Sequence, residues 1–313
     1  MGQRSRPQPA VDLVPTPLPS LGRAPRTGRA PRKVRLIVHL RALGYANRAA
    51  RELLDTGKVS YGGVPTADEG REVDPARVVI ARNAPRLRPN RDVAVVFHDR
   101  HVAVVFKPPG MLAVAAPGRR HETSVIAAVG RLFGASYAVH RLDEPTSGLM
   151  MVALTETCQQ QLKELLFHHR VERCYLAIVR GQFPAAPVTV TTKLVRDRGD
   201  GLRGSDPEAD EDLAKEAVSH FRLLRPLGPR ASLVEATLET GRTHQVRIHL
   251  AERGYPILGD PLYGSRGSER LAPRLALHAA RLGLRHPVSG EALRFEAPLA
   301  DDLERLSREL RRA

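Results

Sequence analysis

AVHRLDEPTSGLMMVALT, residues 138–155, is the stretch from which the rest of the chain can be read. Two apolar runs flank a polar cluster in which His140, Arg141, Asp143, Glu144, Thr146 and Ser147 fall within eight positions. A turn between strands needs little more than a proline and a glycine, and Pro145 and Gly148 supply both. The remaining charges leave two readings, a solvated hairpin tip or a site. Strand-like YAVHRL (137–142) runs into Asp143 and strand-like GLMMVAL (148–154) follows it, an order that would hold one carboxylate at the rim of a rigid sheet.

Working outward, VAVVFHDRHVAVVFKPPGML (93–112) reads as two strands joined by a polar turn and stopped by Pro108-Pro109-Gly110. Residues 156–169 have helical spacing, with Leu162, Leu165 and Leu166 on one face. Strands are expected over 171–179, which carries Tyr175, and over 188–195, 215–224 and 232–240. Residues 199–211, rich in Gly and Asp, read as a flexible insertion, and TGRTHQVRIHLAERG (240–254) as a helix capped by Thr243. Long strands with few helices and no regular strand–helix alternation predict an α+β fold around a mixed, mainly antiparallel sheet. The one G-x-G-x-x-G, at 199–204, falls in that expected insertion and not between a strand and a helix, and the chain holds no G-K-[ST], so a nucleotide cofactor has no foothold.

The front of the chain differs. Residues 1–33 carry seven prolines and 7 basic against 1 acidic side chain, too little apolar matter to offset chain entropy, and are expected to be a disordered basic tail. Residues 34–91 carry 11 basic and 6 acidic groups, so most of the formal net charge of +15 lies in the first third of the chain. That placement points to a polyanion, and nucleic acid fits better than a membrane because no apolar run approaches spanning length. Within 34–91, helical spacing at Leu36, Val38, Leu40 and Leu43, a second helix capped by Asn47, and a KVSYGG strand and turn resemble the small RNA-binding domain first seen in ribosomal protein S-four. The resemblance makes Arg41, Arg48, Arg51 and Lys58 its phosphate-facing surface, and Gly62-Gly63 its tight turn. A linker over 83–90 separates it from a second domain, 92–313. Two cysteines, Cys158 and Cys174, give neither a disulfide framework nor a zinc spacing, and no signal peptide is visible; a cytoplasmic monomer is expected.

HRLDEPTSGLMMVAL (140–154) resembles the signature motif of the RluA-type pseudouridine synthases, and other stretches of this chain resemble further motifs of that family in order. These are KPPGML (107–112), RCYLAIVRG (173–181), TGRTHQVRIHLAERGYPILGDPLYG (240–264) and LALHAARLGLRHPVSGEALRFEAPL (275–299). The resemblance implies isomerisation of uridine to pseudouridine within RNA without a cofactor or a metal, ribosomal RNA being favoured over tRNA. It places the catalytic aspartate at Asp143, its arginine partner at Arg247 and the tyrosine that stacks on uracil at Tyr175. Arg141 matches the residue inserted where the flipped base leaves the stack, and Lys107 is expected to be structural or to contact phosphate. Arg242 and His244 rank below Arg247 as partners of the aspartate, and Leu277 and His278 are expected to be core. The carboxylate could attack the sugar or the base, or take a proton from the sugar; each route needs it ionised and fixed. Two rivals remain: a silent RNA-binding or ribosome-assembly protein on the same fold, against which the intact Asp143, Tyr175 and Arg247 set argues, and a hydrolase, which lacks a second motif-borne acid.

Overall fold

Strands Val102–Lys107 and Ser147–Ala153 lie side by side at the centre of one sheet and are almost wholly buried. Because side chains alternate across a strand, Met150 and Val152 face one way, onto Val125, Ala128 and Val129 of helix Val125–Phe133. Leu149, Met151 and Ala153 face the other, onto Cys158 and Leu162 of helix Glu156–Phe167. Each large aliphatic side chain so buried is worth about 1.5–3 kcal/mol, which explains why these runs are continuously apolar rather than alternating.

This computed structural model describes residues 33–82, 92–116, 123–210, 212–264 and 271–312. The expected tail (1–33), apart from Lys33, and the linker (83–90) lie outside them. The main sheet runs, in spatial order, Gly204–Ser205, Val188–Val195, Lys215–Pro226, Ala231–Leu238, Glu172–Arg180, Leu277–Arg285, Ser147–Ala153, Val102–Lys107 and Ala94–His98. Ala292–Glu296 adds to Leu277–Arg285, and the two-residue Tyr137–Ala138 to Ser147–Ala153. The sheet is antiparallel except where Leu277–Arg285 meets Ser147–Ala153 in parallel, pairing His278 with Ser147 and Ala279 with Gly148. Gly148 is required there: its φ is 120°, and a Cβ would lie 2.2 Å from the Ala279 carbonyl oxygen.

The α+β reading holds, with several local differences. Only Tyr137 and Ala138 of YAVHRL form a strand, so Asp143 sits in an irregular loop before the long strand. Thr243 does not cap the helix that follows it; helix Gln245–Glu252 is entered through His244 in the left-handed region (φ 61°), and the Gln245 side chain folds back to accept from the Arg242 amide. The 199–211 insertion contains a strand pair with Val188–Val195, and Glu252 fastens it by accepting from the Ser205 amide and hydroxyl. Helices Val125–Phe133, capped by Ser124, and Asp301–Leu310 were not expected.

In 34–80, helices Leu36–Ala42 and Asn47–Asp55 pack on a three-stranded sheet over Leu36, Leu40, Ala50, Leu54 and Val59. Val38 and Leu43 point to solvent, and Ala46 rather than Asn47 precedes the second helix. Gly62 and Gly63 take positive φ, 59° and 80°, the geometry of a two-residue hairpin turn. The chain from Lys33 onward forms one compact unit. Its seam includes the last helix: Asp301 accepts from the Thr66 hydroxyl (2.7 Å) and the Ala67 amide (2.8 Å), Arg71 pairs with it at 3.1 Å, and Arg308 reaches Asp68 at 2.7 Å.

Candidate active site

The loop carrying Asp143 is fixed almost atom by atom. Thr146 donates its amide to the Asp143 carbonyl (3.0 Å), and the Gly110 amide donates to the Glu144 carbonyl (2.9 Å). Lys107 is 0% exposed, and its ammonium donates to the carbonyls of Pro108, Met111 and Glu144 at 2.7–3.0 Å. Burial pulls the Lys107 amine down to about 7, with Arg274 adding to the fall, while the Glu144 and Asp143 carboxylates oppose it. On the N-terminal side, His140 accepts from the Met151 amide (3.1 Å); burial holds its pKa down near 4, and the neutral ring serves as an acceptor.

Asp143 itself points into a cleft of about 150 Å³ whose walls include Arg141, Tyr175, Arg242, His244 and Arg247. Its carboxylate is 18% exposed and accepts from Arg247 Nη1 at 3.0 Å. Arg247 is only 4% exposed and lies on the first turn of helix Gln245–Glu252. The other edge of its guanidinium makes a two-point pair with Asp260, Nε to Oδ2 at 2.8 Å and Nη2 to Oδ1 at 2.7 Å. Such a fork fixes the plane of the guanidinium and so aims Nη1 at Asp143. The Asp260 side chain is wholly buried, which opposes ionisation, yet Arg247 and the amides of Leu262 and Tyr263 hold its pKa below the ordinary carboxylate range. The Tyr263 ring covers Arg247 at 5.1 Å and its hydroxyl lies 3.0 Å from His244 Nδ1. His244 Nε2 is 3.8 Å from Asp143 Oδ1; burial lowers its pKa against the pull of Asp143, so at neutral pH Arg247 is the cation beside the carboxylate.

Sheet register brings the tyrosine to the same place. Tyr175 pairs with Ala279, and Ala279 with Gly148, so the three form one row across adjacent strands, with a bulge at Cys174/Tyr175. At about 4.8 Å per strand the row puts Tyr175 roughly 10 Å across the sheet from the start of the Ser147 strand. Burial raises the Tyr175 pKa; Arg173 opposes this and Asp143 adds to it, which keeps the phenol protonated. The arrangement therefore offers a carboxylate fixed by a guanidinium, an apolar wall and a neutral hydroxyl around a space suited to one planar base. Among the described residues no group of three or more His, Cys, Asp or Glu side chains is placed to hold a metal.

Residues 101–252 match the family described as RNA pseudouridylate synthase. The chain is 38% identical over 242 residues, covering 72% of it and 74% of the relative, to a protein of Zymomonas mobilis named ribosomal large subunit pseudouridine synthase D. It is 34% identical to the Haemophilus influenzae dual-specificity RNA pseudouridine synthase RluA, over 68% of this chain and 95% of that one. The chain belongs to the RluA-type RNA pseudouridine synthases. The fold of the human RNA pseudouridylate synthase domain containing 1 is similar to that of this synthase, with a TM-score of 0.57 and 24% identity, over 72% of this chain and 98% of that one.

In this synthase the residues singled out from sequence fall into three groups. Asp143, Tyr175, Arg247 and Arg141 share the cleft; Arg141 is exposed and makes no hydrogen bond or ion pair to any described residue. Arg41 and Arg48 are exposed on the 34–80 segment and Lys58 is half-buried there, while Arg51 is committed to Glu69 at 2.8 Å. Lys107 takes the structural role alone: sealed from solvent, it cannot reach a phosphate. Asp260 was missed, although GDPLYG stood inside the quoted 240–264 stretch; only its tight turn, with Gly259 at φ 71°, reveals that it faces Arg247. Cys158 and Cys174 are free and buried, pushed up to about 11 and about 12 mainly by burial, and have no part in the cleft.

Proposed function

We propose that Asp143 is the catalytic carboxylate of uridine isomerisation in this synthase, and that its substrate is large-subunit ribosomal RNA. The observation that carries the first part is the Arg247–Asp143 pair at 3.0 Å, half of a guanidinium otherwise locked by Asp260 and opening on the one cleft that also holds Tyr175. In the reaction the C1′–N1 bond of uridine breaks, the base turns, C1′–C5 forms, the C5 proton leaves and N1 gains one, so atoms balance without redox chemistry. Arg247 holds the Asp143 carboxylate in place through attack or proton removal alike. Tyr175 supplies a wall against which the freed uracil can turn. A paired uridine cannot enter a cleft of this size, so it must flip out, and unpartnered Arg141 at the rim is suited to fill the gap.

Two supports bear on the RNA. The relatives in Zymomonas mobilis and Xanthomonas campestris are named as acting on the ribosomal large subunit, at 38% and 39% identity. In addition, the helix pair and glycine hairpin of the 34–80 segment resemble those of an S-four-type RNA-binding domain, which supports a structured RNA as the partner. Pseudouridines mapped across total RNA from cells with and without this protein test the assignment. At least one site in large-subunit rRNA is expected to vanish without it; loss confined to tRNA would overturn the ribosomal assignment.

A further inference from the structure

We infer that Arg274 is a positioning residue for the Asp143 loop, acting under the control of Asp302 on the last helix. The inference rests on Asp143 being the reacting carboxylate. Arg274 lies outside the cleft and is largely buried, and its five N–H donors are spread over two parts of the fold. One edge forms a two-point pair with Asp302, Nε to Oδ2 at 2.6 Å and Nη2 to Oδ1 at 2.9 Å. The other edge reaches the loop: Nη1, which also donates to the Leu275 carbonyl of its own segment at 3.0 Å and reaches that of Leu277 at 3.5 Å, donates to the Pro145 carbonyl at 3.2 Å, and Nη2 to the Ser147 hydroxyl at 3.0 Å. Ser147 is fully buried and its hydroxyl in turn lies 2.9 Å from His278 Nδ1. Burial, with Arg274's charge behind it, lowers His278 to about 3, so the ring is neutral, and Arg274, Ser147 and His278 form one hydrogen-bonded chain. Arg274 thus grips the loop two and four residues beyond Asp143, where no other described side-chain cation does.

Its backbone is just as constrained. A Cβ on Gly259, the neighbour of Asp260, would lie 2.1 Å from the Arg274 carbonyl oxygen, so the turn that anchors Arg247 packs directly on Arg274. Both partners of the reacting pair, Asp143 from its loop and Arg247 through Asp260, are referred to this one residue. The fork itself is set by Asp302, one position after the Asp301 that fastens Thr66, Ala67 and Arg71. The start of the last helix therefore joins the 34–80 segment to the catalytic loop.

Arg274→Lys, which keeps the charge and loses the fork, and Asp302→Asn, which never touches the loop, test this in the full chain. Both variants should speed hydrogen exchange of the 144–148 amides at least about tenfold, with the amides of strand Ala231–Leu238 unchanged. Both should lower kcat on an RNA substrate about 10- to 100-fold, the scale of a small misplacement of a reacting group, while KM moves less than about twofold. Should the lysine variant fail to fold, Asp302→Asn, at a partly exposed position, decides alone. Exchange at 144–148 and kcat both at wild-type level, measured well below a lowered Tm, would reduce Arg274 to a stabilising residue and overturn the inference. Absence of turnover in the wild type on any RNA would instead sink the functional reading, and the exchange measurement would still decide Arg274.

Discussion

A single guanidinium divides its donors between a carboxylate that faces the cleft and one that does not. Arg247 gives Asp260 two bonds and Asp143 one, so Asp260 decides where Arg247 points and Arg247 decides where the Asp143 carboxylate is held. Asp260→Asn puts amide hydrogens against the guanidinium, and a broken buried pair of this kind costs about 3–5 kcal/mol. Turnover is expected to fall about 10- to 100-fold with KM for RNA unchanged, because Asp260 meets no substrate; a fall in KM-limited binding alone would contradict the role. Asp143 and Arg247 were legible because their motifs bracket them with recognisable residues. Asp260 and Arg274 were not, since their partners lie 13 and about 130 residues away and only the folded chain joins them. Lys107 shows the converse: a lysine that the sequence leaves as either structural or phosphate-contacting is settled as structural by its burial.

Among the elements, the parallel contact between Ser147–Ala153 and Leu277–Arg285 is the one that builds the site. It places Gly148 against Ala279, Ala279 against Tyr175, and Ser147 against His278. Gly148→Ala would add a methyl 2.2 Å from a carbonyl oxygen at a φ of 120°, and the strain and overpacking together should cost about 3–5 kcal/mol. A drop of that size in urea-derived stability is the expected result; a stable, active variant would mean that the strands do not meet here. Alternation and apolar runs made most strands visible within a residue or two, since burial on both faces leaves an unbroken hydrophobic signal. They could not reveal pairing, so the helix caps and the His244 turn, set by tertiary contacts rather than local propensity, were misread.

For the whole molecule, buried neutral histidines tie stability to acidity. His278 and His249 are both fully buried; each is lowered from 6.5 chiefly by burial, to about 3 and about 4, and each ring is bonded to hydroxyls. Between about pH 6.5 and 4 the unfolded chain takes up protons that the native rings refuse, so stability must fall as pH falls, by about 1.4 kcal/mol per unit for each histidine. The depressed Asp260 and Asp302 add a loss of the same sign only below about pH 4. Urea unfolding from pH 7.5 to 4.5 should show that slope, reduced by about one proton in His249→Asn; a flat profile would show that these rings charge freely. The fold, its two helix-covered faces and the cleft hold the Asp143 carboxylate in one place beside Arg247. Asp143→Asn, nearly identical in shape, tests that most directly in a single-turnover assay on an RNA that the wild type converts. The expected result is no detectable pseudouridine with RNA affinity within about twofold of wild type, whereas product formation at a wild-type rate would contradict Asp143 as the catalytic residue.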